Sequence, residues 1–596
     1  MKRSLYLILY IAAFALAMTA CSESEDLAND SNPVKVSKIN VCPYPAFTEN
    51  AQTRSNGVGT FDAGKTAWEA GDEIFLMVYY DFETTIQNVT LKYDGTDWTP
   101  DKPIYWLASK TVATALYAPD WTFTQTPSVD LVLKEGAEYG TSEHLYVDIP
   151  LLTGKGDITI DFSETPRYYN RLRIAGEAFS TINIAISKFK PFGTRNFEEH
   201  NYSLTTDEKG NAYLYGWWDT DASLTVKGIF DVNGTDKEIT LFSKSGLSST
   251  SGIANQSYVA DARPSYKNEG EGTAESPYKI SLPQQLASLA EAVNSGAFAS
   301  VDGGIHVALE NDIDLSGYSD WTPIGRSNTH PFVGTFDGQG HTINNMTINN
   351  SNPNDEKEWG LFGRVQDATI KNVRVNGSIG LTNFGDRDDG DFYNWDGIGG
   401  IVGRCSGTVN FEGCHNNVSI FGYGNSSYAS IGGIVGFQID GTVTLVACMN
   451  TGNIKASGTV YASSIRTAGL IGTAYSNNNM QTVTAEANYC YAEIYAPTVS
   501  FAFYGYVHGE NSTIVSIVNS NYWMKLNDRP LGVSTAESAD GFIEVNGSDV
   551  TWLTAKEGMN AYLAEKYSAF GYEYVENTGA DAAKVPLILK SKTTEP

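Results

Sequence analysis

Two hydrophobic patterns divide this chain. From about Asn32 to Arg263, runs such as Glu73-Ile74-Phe75-Leu76-Met77-Val78 and Asp157-Ile158-Thr159-Ile160-Asp161-Phe162 are separated by turn clusters such as Tyr93-Asp94-Gly95-Thr96-Asp97. Runs of this length at this spacing predict antiparallel strands in a β-sandwich, or two in tandem. Further on, the chain writes glycine, two apolar residues, glycine four times: Gly360-Leu361-Phe362-Gly363, Gly400-Ile401-Val402-Gly403, Gly433-Ile434-Val435-Gly436 and Gly469-Leu470-Ile471-Gly472. Their first glycines lie 40, 33 and 36 residues apart, and a degenerate copy, Ala502-Phe503-Tyr504-Gly505, follows 33 residues later. A repeat of this length, rich in strand formers, predicts stacked coils, because a unit so short buries an apolar face only against its neighbour. The glycines are expected where the backbone turns with positive φ, or where coils approach closely.

Between the two patterns, Pro264 to Thr273 is polar and rich in Gly and Glu and reads as a linker. Leu286, Leu289, Ala290 and Val293 then recur at helical spacing. Ser281 is the expected N-cap, with Pro283 in the first turn and Gln284 completing a capping box. This helix is expected to close the open end of the stack, whose first coil would otherwise present unpaired strand edges. A short helix over Met559–Ala564 and a last strand over Pro586–Leu589 are expected near the C-terminus.

Composition narrows the class. The 596 residues carry 40 Lys+Arg against 69 Asp+Glu, a net charge of -29. That length calls for two or three domains. Such acidity argues against nucleic acid, whose phosphates need clustered cations. The 57 Gly and 34 Tyr, with only 18% charged residues, suit an extracellular all-β protein and not a disordered one.

At the N-terminus, Lys2 and Arg3 precede an apolar run from Leu5 to Met18, as in a secretory leader. Met18-Thr19-Ala20-Cys21 resembles a bacterial lipobox. The resemblance implies that Cys21 becomes the acylated first residue, held in the outer membrane by its lipid chains. The acidic run Ser22-Glu23-Ser24-Glu25-Asp26 is similar to the export signal that sends lipoproteins of Bacteroidetes to the cell surface. Of the remaining cysteines, Cys414 and Cys448 share one repeat position: each stands six residues before an isoleucine, Ile420 or Ile454, and two before an asparagine. Val373 takes the same place one repeat earlier, so the site reads as a buried ladder and not as a disulfide.

The order Thr53-Arg54, Trp68-Glu69-Ala70-Gly71-Asp72, Trp98, Trp106, Ala115-Leu116-Tyr117-Ala118-Pro119 and Tyr168-Tyr169-Asn170-Arg171-Leu172-Arg173-Ile174 resembles the fimbrillin-like family of Bacteroidales. That family implies two transthyretin-like sandwiches in a surface or pilus-associated lipoprotein, and makes Arg54 a candidate processing site. Trimming there would open a groove for a neighbour's strand. The sequence from Ser276 to Trp523 resembles the GLUG-motif repeat proteins, on the helix, Asp312-Ile313-Asp314-Leu315, Phe336-Asp337-Gly338 and the tetrads. Together they imply an all-β fold: tandem transthyretin-like β-sandwiches followed by a right-handed parallel β-helix, or β-solenoid, with short capping helices. The expected division is a signal peptide over 1–20, an acidic tether over 21–31, sandwiches over 32–263, a linker over 264–275, repeats over 276–525 and a C-terminal cap over 526–596.

Chemistry is sparse. The longest repeat interval holds an insertion in which Asp386, Asp388, Asp389 and Asp391 stand beside Phe392, Tyr393 and Trp395. Its carboxylates could hold Ca²⁺ and its rings could stack on a sugar, but the spacing fits no EF-hand loop, and an acidic, solvated loop on a repeat face is the better reading. Asp312 and Asp314 would point the same way in a strand and imitate a glycosidase pair, though the repeat pattern accounts for them as structure. The seven histidines show no metal spacing, and no nucleophile stands with a base. No cofactor and no metal are therefore expected. The reading is a non-enzymatic, lipid-anchored surface protein, adhesive or fimbria-associated, presenting its repeats to a glycan or protein ligand or to fimbrial subunits. The alternatives are a carbohydrate-active β-helix and a structural pilus subunit.

Overall fold

A computed structural model of the chain describes residues 34–47, 63–80, 83–106, 111–124, 130–152, 157–165, 167–232, 234–247, 257–349, 358–384, 396–424, 429–458, 465–475, 481–496, 499–501, 504–508, 514–524 and 541–592. The protein is nearly all β. It divides into one compact unit of residues 1–229 and 240–263 and a second of residues 230–239 and 264–596. No helix among the described residues is long and apolar enough to cross a membrane.

The first unit is antiparallel for the most part. One five-stranded sheet runs Leu145–Leu152, Thr111–Tyr117, Glu73–Tyr80, Glu83–Tyr93, Trp98–Pro100 in spatial order. Alternation decides its buried face: Ile74, Leu76 and Val78 of one strand join Val89 and Leu91 of the next in a single core. A second sheet begins its chain order at Asn170–Ala175, which pairs antiparallel with Asn211–Trp218 and parallel with Ser257–Asp261. Ahead of both, Ile39–Val41 lies parallel to Ile158–Ile160.

The second unit is built on parallel pairing. From Glu358 onward each repeat contributes to three sheets, whereas the coils before it contribute to two. A short sheet takes Glu358–Trp359, Asp396–Gly399, Ala429–Gly432, Ile465–Ala468 and Val499–Phe501. A long sheet includes Phe332–Asp337, Phe362–Lys371, Val402–Glu412 and Val435–Val446, and a third includes Thr342–Ile348, Arg374–Phe384 and His415–Gly424. Like residues face like residues across the rungs. Ile379, Ile420, Ile454 and Ile494 form one ladder, and Phe336, Ile370, Phe411 and Leu445 another, both in the core.

The glycine tetrads join the short sheet to the long one, and each bonds to the next: Phe362 N donates to Ile401 O, Val402 N to Ile434 O and Val435 N to Leu470 O. Of the two roles expected for these glycines, close approach is the one found. None of the eight has positive φ. A Cβ at Gly400 would fall on Asn416 Oδ1, one at Gly433 on the Gly469 carbonyl, and one at Gly403 would lie 2.7 Å from the Trp359 nitrogen. The left-handed turn lies elsewhere in each repeat, at the corner between the long and third sheets. Asn372, Gly413, Ala447, Ala487 and Ser520 occupy it with φ of 52°, 61°, 54°, 55° and 53°. Four of those five residues carry a Cβ, so the tight stack imposes the conformation against a local steric cost of about 1–2 kcal/mol per residue.

Helix α1, Pro283–Asn294, buries Leu286, Leu289, Ala290 and Val293 in the repeat core, as its stripe predicts. Its cap differs from expectation. Leu282 is the N-cap and has no side-chain acceptor; Gln285, not Gln284, reaches back, accepting from the Leu282 and Ser281 amides at 3.0 and 2.7 Å. The register is shifted one residue because Leu282 is itself buried.

Beyond residue 525, Phe542–Glu544 adds one more parallel strand to the third sheet. Helix α2 spans Trp552–Lys566, longer at both ends than expected, and is followed by a hairpin of Tyr572–Glu576 and Leu587–Ser591. Met559, Leu563, Tyr574 and Leu587 pack against Val446, Ala447, Met449, Ala487, Tyr489 and Tyr522, residues of three successive repeats. Arg374 Nη2 to Asp581 Oδ2 (2.9 Å) and the Tyr574 hydroxyl to Ala487 O (2.8 Å) extend the contact along the corner column. The C-terminal segment therefore runs along the side of the stack.

Candidate functional site

The sequence-predicted residues fall into three groups. Cys21, Arg54 and the acidic insertion with Asp386, Asp388, Asp389, Asp391, Phe392, Tyr393 and Trp395 lie outside the described residues. In sequence the insertion lies between Phe384, the end of a strand of the third sheet, and Asp396, the start of a strand of the short sheet. Segments 425–428 and 459–464 make the same junction one and two repeats later. Sequence of different length thus joins these two sheets in successive repeats, and residues 476–480 are a further insertion, between Ile471–Tyr475 and Gln481–Glu486, where the preceding repeat has the single strand Val435–Val446.

The second group has structural roles. Asp312 accepts from the Thr342 amide at 2.8 Å, and Asp314 accepts from Asn345 Nδ2 and the Ser316 amide at 2.8 and 2.9 Å. Those bonds, Asn345 first, hold the Asp314 carboxyl below the usual range. Both carboxylates thus tie one repeat to the next. Cys414 and Cys448 are free, buried thiols. Their position is more specific than a hydrophobic ladder. Cys414 Sγ donates to Ile370 O and Cys448 Sγ to Phe411 O, one rung back in each case. In the next two repeats Asn488 Nδ2 donates to Leu445 O and Asn521 Nδ2 to Ala485 O. Cysteine and asparagine thus serve one function, a buried donor for the preceding rung's carbonyl.

Among the described residues no cluster of His, Cys, Asp or Glu could hold a metal. His144 and His415 are buried, and desolvation, reinforced by Arg167 and Arg374 respectively, pushes each imidazole down to about 3. In the first unit the stretch around Phe47 is firmly held. Tyr44 donates to Glu143 Oε2 at 2.5 Å, Glu143 also pairs with Arg167, and the Arg167 and Arg171 guanidinia lie 4.1 and 4.5 Å from the Phe47 ring centre. Burial, then Glu143, pushes the Tyr44 phenol up.

The third group was not legible in the sequence: a pocket of about 510 Å³ at the first strands of the long sheet. Three rings meet there, Tyr266 with Tyr278 at 5.0 Å and with Phe298 at 5.5 Å, both edge to face. Glycines shape the walls. Gly270, Gly272, Gly303 and Gly304 all have positive φ, and a Cβ at Gly272 would enter the Tyr278 ring. The Gly272 carbonyl accepts from the His306 amide at 3.0 Å, fixing the loop against the strand Ile305–Leu309. Lys267, whose Nζ lies 5.4 Å from the Tyr266 ring centre, lines the space with Glu271, Thr273, Asp302 and His306. Tyr266 is buried while Tyr278 and Phe298 are half-buried, and together with the volume and a mixed rim they make this a ligand-sized site. The sequence reading assigned Tyr266 to a linker. The glycines bracketing Tyr266, Tyr278 and Phe298 were the available signal.

No family model matches the chain. Over 175 residues it is 30% identical to halomucin of Haloquadratum walsbyi, a match covering 28% of this chain and 2% of that relative, so the chain spans only a small part of its length. Solved structures with some likeness include a candidate immunoglobulin A1 protease of Bacteroides ovatus, at 17% identity and TM-score 0.31, covering 54% of this chain and 94% of that one. A candidate cell adhesion protein of Bacteroides fragilis aligns at 14% identity and TM-score 0.25, covering 39% and 92%. A candidate adhesin of Bacteroides ovatus aligns at 10% identity and TM-score 0.20, covering 32% and 80%. At such scores the strand pairings, and not these superpositions, describe the fold.

Proposed function

We propose that this chain is a non-enzymatic surface lipoprotein, anchored in the outer membrane through Cys21, that displays an adhesive β-solenoid. In this reading residues 32–263 form fimbrillin-like tandem sandwiches and residues 276–525 a right-handed GLUG-type solenoid. One observation carries the proposal: successive repeats pair in parallel register in three sheets, while the sequence between those strands varies in length from repeat to repeat. A scaffold with a constant core and variable insertions suits presentation of a surface, and here Asp386, Asp388, Asp389, Asp391, Phe392, Tyr393 and Trp395 would be displayed.

Fimbrial association through cleavage at Arg54 is a second reading, favoured by the anchoring of Tyr44 and Phe47. Removing residues up to Arg54 would strip both from Glu143, Arg167 and Arg171, leaving a polar groove to be refilled. The test is a strain in which Cys21→Ser replaces the native chain. The proposal expects loss of labelling by a membrane-impermeant reagent on intact cells and loss of attachment to a glycan or matrix surface. Unchanged attachment of a full deletion strain would refute adhesion, and surface material beginning at Ser55 would favour the fimbrial reading.

A further inference from the structure

Of the large apolar side chains in the second unit, four stay exposed among the described residues: Val301, Phe421, Tyr495 and Leu553. Two of them share one column of the third sheet. Phe421 stands opposite Lys455 across the rung, and Lys455 opposite Tyr495. The residue before each of the three is core, Ile420, Ile454 and Ile494, so alternation turns the column outward. Phe421 is 47% and Tyr495 40% exposed, and Lys455 is exposed between them. On the other side of Phe421 the column continues as Gly380, which has no side chain to cover the ring.

The charge of this sheet is unlike that of the chain. Its strands Thr342–Ile348, Arg374–Phe384, His415–Gly424 and Ile454–Gly458 contain no Asp or Glu, although the chain carries 69. Their cations are Arg374, which is bonded to Asp581, and Lys455, which has no ion-pair partner among the described residues. Repulsion from more distant carboxylates is screened beyond about 8 Å at physiological salt. Glu493, two residues before Tyr495, borders the column, so the attraction for an anion is confined to Lys455. The face therefore suits one carboxylate between two rings and not a densely charged polyanion.

We propose that this column binds an extended β-linked glycan whose sugars alternate between neutral and uronate. A neutral sugar lies on Phe421, the next sets its carboxylate against Lys455, and the third lies on Tyr495. This names the ligand class for the adhesive reading above and rests on that reading. Three features select the ligand. Rungs of about 4.8 Å put the two rings about 10 Å apart, and each sugar of an extended β-linked chain advances close to one rung. Exposed aromatic faces take the apolar C–H face of a pyranose. The ammonium pairs with a single carboxylate in a charge-assisted bond. A peptide strand is excluded as the occupant, because it would need an unpaired edge, and the strands carrying Phe421 and Lys455 are paired on both sides.

The full-length chain is tested by saturation-transfer difference NMR with hexasaccharides of hyaluronan and of unsulfated chondroitin, and with the neutral chitohexaose. A uronate hexasaccharide is expected to bind, and its disaccharide, which reaches only one ring, about tenfold more weakly. Phe421→Ala and Tyr495→Ala should each weaken the hexasaccharide about three- to tenfold. Lys455→Gln should weaken the uronate hexasaccharides about two- to fivefold and leave chitohexaose unaffected. Leu553→Ala, exposed on helix α2, should change nothing. Matching circular-dichroism melts show that the fold is kept. No transfer to either uronate hexasaccharide overturns the site, and unchanged binding by both ring variants overturns the column. Chitohexaose binding as tightly as hyaluronan, with Lys455→Gln silent, overturns the uronate. Attachment of cells carrying both ring substitutions to a hyaluronan-coated surface is scored separately. Normal attachment with lost oligosaccharide binding leaves the site standing and refutes its adhesive use.

Discussion

The two units solve the same problem, burying polar groups among strands, in opposite ways. In the first unit one network does it once: Tyr44, Glu143, Arg167 and Tyr169 converge from four sequence positions, and Glu143 and Arg167 are both almost fully buried. In the second unit a column does it in four successive repeats, through Cys414, Cys448, Asn488 and Asn521, each bonded to the carbonyl one rung back. A single network concentrates the consequence of a substitution at one place. A column spreads it, because each rung carries its own donor and its own acceptor.

The largest expected effect tests the singular network. Glu143→Leu leaves the Arg167 guanidinium buried without its carboxylate and should cost about 3–5 kcal/mol, read from urea unfolding of the first transition. If the loss is below about 1 kcal/mol, the network is not the keystone of that unit. Next comes the tetrad. Gly433→Leu drives a side chain onto the Gly469 carbonyl and should destabilise the second unit by about 3 kcal/mol. The same change at Gly571, which has open space around its Cβ position, should be nearly silent in the same assay.

Acid sharpens the comparison, since each unit buries one neutral histidine. Their folded-state values of about 3 lie below the ordinary 6.5. The unfolded chain therefore binds more protons as pH falls, and stability present above about pH 6.5 is lost progressively toward pH 3. His144→Phe, retaining the ring between Tyr169 and Phe192, should flatten that loss in the first unit only, as seen in melting temperatures from pH 7 to pH 4. A first-unit slope unchanged by the substitution would show that carboxylates dominate it.

The smallest effect lies in the donor column. Cys448→Ser keeps a donor for the Phe411 carbonyl and should cost little more than about 1 kcal/mol, whereas Cys448→Ala removes the donor and opens a gap, costing about twice that by equilibrium unfolding. Equal costs for the two would mean that the thiol packs and does not donate.

Much of the second unit was legible. The tetrads marked the repeat, and the offset from Cys414 to Ile420 and from Cys448 to Ile454 predicted a register that the Ile420–Ile454 pairing reproduces. The stripe of helix α1 was equally readable, since helical spacing is a local property. The corner column was not, because Asn, Gly, Ala, Ala and Ser share no chemistry, only a conformation. The pocket was missed for a related reason. Tyr266, Tyr278 and Phe298 belong to three segments whose meeting depends on how a glycine-bounded loop folds back on the sheet.

Periodicity and alternation, both carried within a few residues, determined by themselves that this chain repeats, which side chains turn inward and where the repeats begin. The tertiary structure alone decided which carbonyl each buried Cys or Asn serves, why the tetrads must be glycine and where the left-handed corner falls. Those outcomes depend on backbone approaching backbone from a neighbouring repeat some 33 to 40 residues away, a distance over which no local propensity acts.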